Sequence, residues 1–366
     1  MKQIKHVFEK RIYIILLNYK NWQDTIASAE SILKSDYDNF RLVIVDNASP
    51  NASMQYLKMW THGILSSWTP PGHPLRVLSY PPAAKPLDAV FLEEKDIYNT
   101  QNLPENKVIL IQTHQNRGYS AGNNIGISFA KQCGDFDAVW ILNNDTLITP
   151  QTLPTLITCS QQIESEKTLL GTTLLFYDQM EKIQAYGGKF NPLLAVPAHN
   201  LPSTPFNAKN CEERKQIQID YLIGASMLLN RAVIEYIGEM PEEYFLYFEE
   251  IDIATNCKRG GFSIAICDEA IVYHKESASI DAEDRSMNAF SDFFALRNRL
   301  LFTRKYYPFY LPPVYIGLLL SLLLRIWRRD KSGIYNILRI LTTTPKNIHQ
   351  LKYKPVPNSL LPQKTF

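Results

Sequence analysis

The sequence has little cysteine, almost no net charge and no long apolar run near its start. Its five cysteines are scattered and odd in number, and none belongs to a C-x-x-C pair, so we predict reduced thiols in a cytosolic protein. The formal net charge is +2, which indicates no particular partner for the chain as a whole. The first apolar stretch, residues 12–17, is too short for a signal-peptide core, and we therefore predict a buried strand there.

Short apolar runs that alternate with amphipathic segments predict an α/β fold with a mostly parallel sheet. The runs that we assign to strands are 12–17, 41–45, 108–112 and 138–142, and residues 262–274 are assigned to two further short strands. Between the second and third runs, residues 66–107 contain many prolines, as in TPPGHP and YPPAAKP. We predict that this stretch is an inserted and largely irregular excursion.

Polar residues follow three of the predicted strands at the point where each strand ends. They are Asn18, Asp46, Asn47, Asn143, Asn144 and Asp145. Asparagine and aspartate are common turn residues, which explains any one of these positions. The carboxyl ends of parallel strands meet at one edge of a sheet, where ligands bind in open α/β folds. Polar residues at three strand ends on that edge therefore favour a binding crevice.

A glycine-rich segment, residues 116–126 with the sequence NRGYSAGNNIG, follows the strand at 108–112. Its glycines permit close approach of the backbone to a ligand, and a helix that starts here would present its N-terminus to an anion. The spacing matches neither the dinucleotide G-x-G-x-x-G pattern nor a phosphate-binding loop with its lysine. A simple turn before a helix explains the glycines equally well.

The segment FLYFEEID places Glu249, Glu250 and Asp252 among aromatic residues. Apolar surroundings raise the pKa of a carboxyl group and suit it to proton transfer. Acidic residues are also common in the first turn of a solvated helix, and that alternative stays open. His274 ends its apolar run and is either a structural residue or, together with Asp145, a donor for Mn²⁺ or Mg²⁺ beside a diphosphate.

Short motifs in a fixed order connect these features to a known family. They read NYK, VIVDNAS, NRGYSAGNNIG, WILNNDT, YLIGASMLLNR, FLYFEEIDI, KRGGF, VYH and RNRLLFTRKY. In this order they resemble glycosyltransferase family 2, particularly its rhamnosyltransferase-like bacterial members, from residue 12 to residue 306 apart from the insertion. The resemblance implies a GT-A fold over residues 1–300, which is a Rossmann-like, mostly parallel sheet flanked by helices.

The same resemblance implies an inverting, metal-dependent hexosyltransferase. Such an enzyme would use Mg²⁺ or Mn²⁺ and would move a sugar, with rhamnose as one candidate, from a dTDP- or UDP-sugar donor. The acceptor would be a glycan or a lipid-linked glycan in the synthesis of cell-surface polysaccharide. The Q-x-x-R-W motif of processive members is absent, which favours the transfer of one sugar per encounter.

Catalytic and metal-binding positions follow from the resemblance, with two departures from the family pattern. The catalytic base falls on Glu250, where the family has aspartate, and Glu249 is the alternative. The metal ligands fall on Asp145 and His274, but Asn143 replaces the first acid of the D-x-D motif. Both departures also fit a non-catalytic sugar-nucleotide-binding assembly protein, which is the competing hypothesis. A nucleotidyltransferase is disfavoured, because no basic glycine-rich segment follows the first strand.

The remaining assignments concern the donor and the acceptor. Positions expected to bind the donor are Asn18, Asp46, Asn47, Asn116, Gly118, Asn123, Asn144 and Arg297. Arg297 would add positive charge near the leaving group, and contact with a membrane surface is the alternative for it. The small-residue turn at Gly224 and Ala225 is expected on the acceptor side.

The C-terminal part, residues 301–366, is predicted to be helical, apolar and basic. From Arg297 to Lys354 the chain has twelve lysines or arginines and one acid, which indicates an anionic membrane surface and not nucleic acid. The apolar run from Pro308 to Leu324 is about seventeen residues long, at the lower limit for a spanning helix. Arginines and Trp327 follow it directly, so we predict peripheral attachment to the cytoplasmic face of the membrane. A buried helix that closes the catalytic domain is the alternative.

Overall fold

Helices and strands alternate along the computed structural model, which describes residues 10–66, 69–99, 103–163, 165–207, 210–275, 285–344 and 347–355. The strands are β1 (Ile12–Asn18), β2 (Phe40–Asp46), β3 (Ala89–Glu93), β4 (Val108–Gln112), β5 (Ala138–Asn143), β6 (Thr146–Ile148), β7 (Thr168–Phe176), β8 (Ile183–Ala185), β9 (Gly188–Asn191), β10 (Val196–His199), β11 (Ser226–Asn230) and β12 (Ser263–His274). The helices are α1 (Trp22–Leu33), α2 (Ser53–Thr61), α3 (Arg76–Ser79), α4 (Glu94–Asn99), α5 (Tyr119–Cys133), α6 (Thr152–Gln162), α7 (Cys211–Lys215), α8 (Arg231–Ile237), α9 (Glu249–Arg259), α10 (Arg285–Tyr306), α11 (Leu311–Trp327) and α12 (Lys331–Leu341).

Ten of these strands form one sheet in the order β3-β4-β2-β1-β5-β11-β7-β12-β6, with β8 paired to β7. The pairs β3–β4, β4–β2, β2–β1, β1–β5 and β7–β12 are parallel. Strand β11 is antiparallel to β5 and β7, and β6 is antiparallel to β12. The predicted α/β fold with a mostly parallel sheet is therefore confirmed.

The central strand β1 is buried on both faces of the sheet. Ile12, Ile14 and Leu16 pack on one face, whereas Tyr13 and Ile15 pack on the other. A parallel strand that is covered by helices on both faces has to be apolar at successive positions, which explains the continuous apolar run in the sequence. The two core layers hold the polar ends of the strands in fixed register.

The stretch 66–107 is less irregular than we predicted. It contains β3, which pairs in parallel with β4 and forms one edge of the main sheet. β3 has the apolar run AVFL and is only partly buried at this edge, and the prolines on both sides of it led us to treat the whole stretch as irregular. The proline-rich loop before it is anchored by the fully buried Glu30 of α1. That carboxylate accepts hydrogen bonds from the backbone N–H of Ala83 at 2.7 Å and from Lys85 Nζ at 2.8 Å.

The prediction of two short strands near residue 270 was also wrong. Residues 263–274 form the single strand β12, whose register against β7 shifts between Cys267 and Ile271. An irregularity of this kind interrupts the alternation of side chains, so one strand reads as two in the sequence. The strand nevertheless ends at His274, as expected.

The C-terminal part forms three helices, and the predicted helical extension is confirmed. α10, α11 and α12 pack around a separate apolar cluster that includes Phe293, Leu318 and Ile337. The guanidinium of Arg325 on α11 donates to both carboxylate oxygens of Asp292 on α10, at 2.5 and 2.8 Å. Residue 300, our predicted boundary, lies inside α10, so one continuous helix belongs to both parts of the chain.

Candidate active site

Polar side chains from three parallel strands meet at one edge of the sheet, as the sequence predicts. Asn18 of β1 is in register with Asp46 of β2, and its amide donates to the Asp46 carboxylate at 2.7 Å. The amide of Asn144, which follows β5, donates to the Thr25 hydroxyl at 2.9 Å, and this hydroxyl donates to Asn18 at 2.9 Å. Asp46 also accepts from Gln112 at 3.1 Å. The network fixes these groups in one arrangement.

The glycine-rich turn is tied to the same edge. Asn47 donates from its amide to Asn116 Oδ1 and to the carbonyl of Gly118, both at 3.1 Å. Gly118 has a φ of +102°, and a Cβ placed on it would lie 2.4 Å from the carbonyl oxygen of Phe245. Only glycine therefore fits at this position. The turn presses directly against the loop that precedes the two glutamates.

Tyr119 connects the parts of the site, and we did not identify it from the sequence. Its hydroxyl donates to the carbonyl of Gly224 at 2.7 Å and to Asn143 Oδ1 at 3.3 Å. Burial raises the pKa of Tyr119, and the negative charges of Glu249, Glu250 and Asp145 raise it further. Its place directly after Gly118 in the glycine-rich segment was the available signal. Tyr119 thus lies within electrostatic reach of both groups of acids.

Asn123 and the small-residue turn lie around Tyr119. The amide of Asn123 donates to the Tyr119 carbonyl at 3.0 Å, while its buried Oδ1 has no hydrogen-bond partner within the described part of the chain. The carbonyl of Ala225 accepts from the backbone N–H of Asn143 at 2.9 Å. Gly224 and Ala225 therefore border the site, and their contact with an acceptor stays a prediction.

Asp145, which follows β5, and His274, at the end of β12, form a pair. His274 Nε2 lies 3.2 Å from Asp145 Oδ1, and its Nδ1 lies 2.7 Å from Gln184 Oε1. Gln184 Oε1 accepts from the protonated Nδ1, which leaves Nε2 as the nitrogen that faces Asp145. Burial alone would raise the pKa of Asp145, but the charge and hydrogen bond of His274 outweigh it and lower this pKa.

The pair fits two ligands of a divalent metal ion. Adjacent ligands of an octahedral ion lie about 3 Å apart when each is about 2.1 Å from the metal. The separation of 3.2 Å between Nε2 and Oδ1 matches this requirement. Asn143 Nδ2 lies 3.4 Å from Nε2, so the side-chain amide at this position is the nearest further group. Within the described residues, no third histidine, cysteine or acid joins them.

Glu249 and Glu250 open helix α9 and differ in access to solvent. Glu249 is buried, and its Oε2 has no partner within the described residues, whereas Glu250 is partly exposed. Burial raises the pKa of Glu250 to about 7. Burial and the neighbouring charge of Glu250 raise the pKa of Glu249 well above its usual value. Glu250 is therefore the member of the pair that an acceptor can reach.

The loop before these glutamates holds an unusual backbone conformation. Phe245, Tyr247 and Phe248 have φ angles of +66°, +68° and +79°, in the left-handed region. Each such residue costs on the order of 1–3 kcal/mol unless the surrounding structure enforces it. Left-handed residues other than glycine cluster at functional sites for this reason. The loop thus has the character of an active-site segment that its neighbours hold in place.

Arg297, which we assigned to the donor, makes hydrogen bonds within the protein. It is buried on α10, where its guanidinium donates to the carbonyl of Glu243 and lies 3.5 Å from the carbonyl of Leu351. Its described partners are therefore backbone carbonyls of the protein. Contact between Arg297 and the leaving group stays a prediction that this geometry does not support.

Comparison with known proteins places the chain in a family. The chain matches the family model "Glycosyltransferase like family 2" over residues 94–291, which are 198 of its 366 residues. It is 27% identical over 194 residues to the low-salt glycan biosynthesis hexosyltransferase Agl10 of Haloferax volcanii, covering 52% of this chain and 58% of the relative. It is 23% identical over 149 residues to the rhamnosyltransferase WbbL of Escherichia coli K12, covering 39% of this chain and 55% of the relative. The matches span a little over half the length of these relatives.

Solved structures of sugar transferases are also similar. The mannosyltransferase PcManGT from Pyrobaculum calidifontis, in complex with GDP-Man and Mn²⁺, is 12% identical, with a TM-score of 0.47 and coverage of 93% of this chain and 92% of that chain. The family is established by the sequence match. Because the family model covers more than half of the sequence, the chain belongs to glycosyltransferase family 2.

Proposed function

We propose that this protein is an inverting glycosyltransferase that moves a sugar from a nucleotide diphosphate donor to a glycan or lipid-linked acceptor. The observation that carries the proposal is the convergence of two kinds of group on Tyr119. The partly exposed Glu250 is near enough to raise the pKa of Tyr119, and Asn143 links the Asp145–His274 pair to the Tyr119 hydroxyl. The curated relatives are named as a hexosyltransferase and a rhamnosyltransferase, which supports sugar transfer in glycan synthesis.

Glu250 is the base of the proposed reaction. It accepts the proton of the acceptor hydroxyl while the oxygen of that hydroxyl bonds to the anomeric carbon of the donor sugar. The bond from this carbon to the diphosphate oxygen breaks on the opposite face, and its electron pair leaves with the nucleoside diphosphate. A single displacement inverts the anomeric centre. We assign Asn18, Asp46 and Asn47 to the nucleoside of the donor.

Asp145 and His274 would hold Mg²⁺ or Mn²⁺. When bound, such an ion neutralises negative charge on the departing diphosphate. Gln184 orients the imidazole of His274 through Nδ1, so that Nε2 is presented towards Asp145. Asn143 in place of an acid leaves the site with fewer carboxylates, so we expect weak metal affinity in the absence of the diphosphate.

A panel of UDP-, dTDP- and GDP-sugars, each with and without Mn²⁺, tests the function. We expect one nucleotide class to raise the melting temperature in the presence of Mn²⁺, and the matching sugar nucleotide to release its nucleoside diphosphate slowly through hydrolysis. dTDP-rhamnose belongs in the panel because one curated relative is a rhamnosyltransferase. Stabilisation without release of nucleoside diphosphate, even with candidate acceptors present, would favour the non-catalytic binding protein.

We further propose that helix α11 attaches the enzyme to the cytoplasmic face of a membrane. Residues 308–327 form the one helical segment of the described chain that is long and apolar enough to cross a membrane, and only 11% of its apolar window is buried. Val314 and Leu318 pack on the protein, while Leu320 and Leu323 on the opposite side are exposed. A helix with one face on the protein and one apolar face outward fits a position in the plane of the interface. This exposure argues against a helix buried in the core.

The double substitution Leu320→Glu and Leu323→Glu tests this attachment. We expect the variant to lose cosedimentation with vesicles of phosphatidylglycerol and phosphatidylcholine, because two carboxylates would enter the apolar interface. Release of nucleoside diphosphate should stay within about twofold of the wild type. The control is Ile64→Glu with Val77→Glu, two apolar residues that are 71% and 69% exposed elsewhere on the surface. Equal vesicle binding by both variants would refute the role of α11.

A further inference from the structure

Helix α10 contains a side chain that forms hydrogen bonds to the loop directly preceding Glu249 and Glu250. Asn298 is fully buried, and its amide nitrogen lies 3.0, 2.8 and 2.9 Å from the carbonyl oxygens of Tyr244, Leu246 and Tyr247. The two N–H groups of one side chain are thus shared among three carbonyls within four consecutive residues of the loop. The neighbouring Arg297 binds the carbonyl of Glu243.

These contacts also fix the orientation of the amide. The three groups that Asn298 Nδ2 meets are all acceptors, so the NH₂ end has to face them. The opposite atom, Oδ1, is buried without a hydrogen-bond partner within the described residues. A buried acceptor without a partner costs free energy of folding. In this orientation Asn298 leaves its Oδ1 unsatisfied while its Nδ2 binds the loop.

The loop needs such support because of its backbone. Phe245, Tyr247 and Phe248 are in the left-handed region, and Glu249 follows directly. The carbonyls that Asn298 binds are not paired within a helix or strand, so without Asn298 they would need other hydrogen-bond donors. The backbone could then leave its left-handed conformation. The loop also contacts the glycine-rich turn, since the Phe245 carbonyl accepts from the backbone N–H of Tyr119 at 2.8 Å. Its shape therefore determines the position of Glu250 relative to the rest of the site.

We propose that Asn298 is a positioning residue of the transfer reaction, which acts on Glu250 by holding residues 244–247 in their strained conformation. This inference rests on the proposed function, because it takes Glu250 to be the base. Asn298 itself lies beneath the loop and touches no reacting group. The family resemblance assigned no role to it.

Asn298→Ala tests the proposal, and the chain offers a matched control in Asn336→Ala. Asn336 on α12 is also fully buried, donates to the Ala289 carbonyl at 2.8 Å, and leaves its own Oδ1 without a described partner. It binds the helical bundle and not the loop. We expect Asn298→Ala to lower the turnover number by about a hundredfold, the size of effect that a misplacement of about 1 Å produces. The dissociation constant of this variant for the nucleoside diphosphate should change much less than its turnover number, because the hydrogen bonds of Asn298 go to Tyr244, Leu246 and Tyr247 and to none of the residues assigned to the donor.

Hydrogen–deuterium exchange provides a readout that does not depend on activity. Asn298→Ala should accelerate exchange of the amides in residues 242–250, whereas Asn336→Ala should change only the C-terminal helices. If Asn298→Ala does not fold, Asn298→Ser keeps one donor and should show intermediate exchange and intermediate turnover. Unchanged exchange in 242–250, or an equal loss of turnover in both alanine variants, would overturn the proposal. If the wild type turns over no sugar nucleotide, the proposed function fails, and the exchange result alone decides whether Asn298 holds the loop.

Discussion

Glu250→Gln is expected to lower the rate of sugar transfer by roughly two to four orders of magnitude, the usual contribution of a general base. Glutamine keeps the size of the side chain but accepts no proton at neutral pH. Binding of the nucleoside diphosphate should be unchanged, because we assign Glu250 to the acceptor hydroxyl and not to the donor. The measurement is the turnover number with saturating donor, together with the dissociation constant of the nucleoside diphosphate.

The matched comparison is Glu249→Gln. Glu249 is buried and Glu250 is partly exposed, so the exposed member should give the larger loss. A larger loss from Glu249→Gln would move the base to Glu249 and contradict our assignment.

The pH dependence of the wild type follows from the same carboxyl group. A base acts only when it is deprotonated, and burial raises the pKa of Glu250 to about 7. Activity should therefore be present above neutral pH and be lost as the pH falls through about 7. Among the described residues, the titratable groups that interact electrostatically with Glu250 are Glu249, Tyr119, Tyr221 and Tyr247. The three tyrosines have raised pKa values and stay neutral in this range, so the acid limb should reflect the glutamate pair.

Asp145→Ala is expected to abolish transfer. It removes the only carboxylate of the Asp145–His274 pair, so stabilisation by nucleoside diphosphate that depends on Mn²⁺ should disappear as well. The melting temperature with and without Mn²⁺ provides a readout that is independent of turnover. Retention of both activity and metal-dependent stabilisation would remove Asp145 from the metal site.

Asn143→Asp provides the opposite change at the same site. A carboxylate there would restore the first acid of the D-x-D motif, and we expect Mn²⁺ to bind more tightly without added nucleotide. The concentration of Mn²⁺ at half-maximal stabilisation measures this directly. An unchanged affinity for Mn²⁺ in this variant would place Asn143 outside the metal site.

The polar edge of the sheet was predictable because it depends on strand ends alone. Asn18 and Asp46 each end an apolar run, and parallel strands bring such ends together whatever the intervening chain does. The edge strand β3 was not predictable by the same reasoning. Its apolar run, AVFL, is only four residues long and lies among prolines, which favoured an irregular stretch.

The sequence did not predict which side chains of the site bind backbone carbonyls. Tyr119 and Asn298 matter because of the carbonyls that they meet, and those carbonyls belong to residues more than fifty positions away in the chain. Nothing in the local sequence indicates such a partner. Arg297 shows the converse, since its charge suggested a ligand while its hydrogen bonds go to the protein.

Helix α10 has a geometric consequence for the choice of acceptor. Asn298 binds the catalytic loop, and the helix ends at Tyr306, directly before the apolar segment that we place on the membrane. Eight residues of α-helix measure about 12 Å. Along the helix axis, the side chain that binds the loop before Glu250 is therefore only about 12 Å from the start of the segment that we place on the membrane. With α11 on a lipid surface, this short spacing would favour acceptors whose reacting hydroxyl lies close to a lipid anchor.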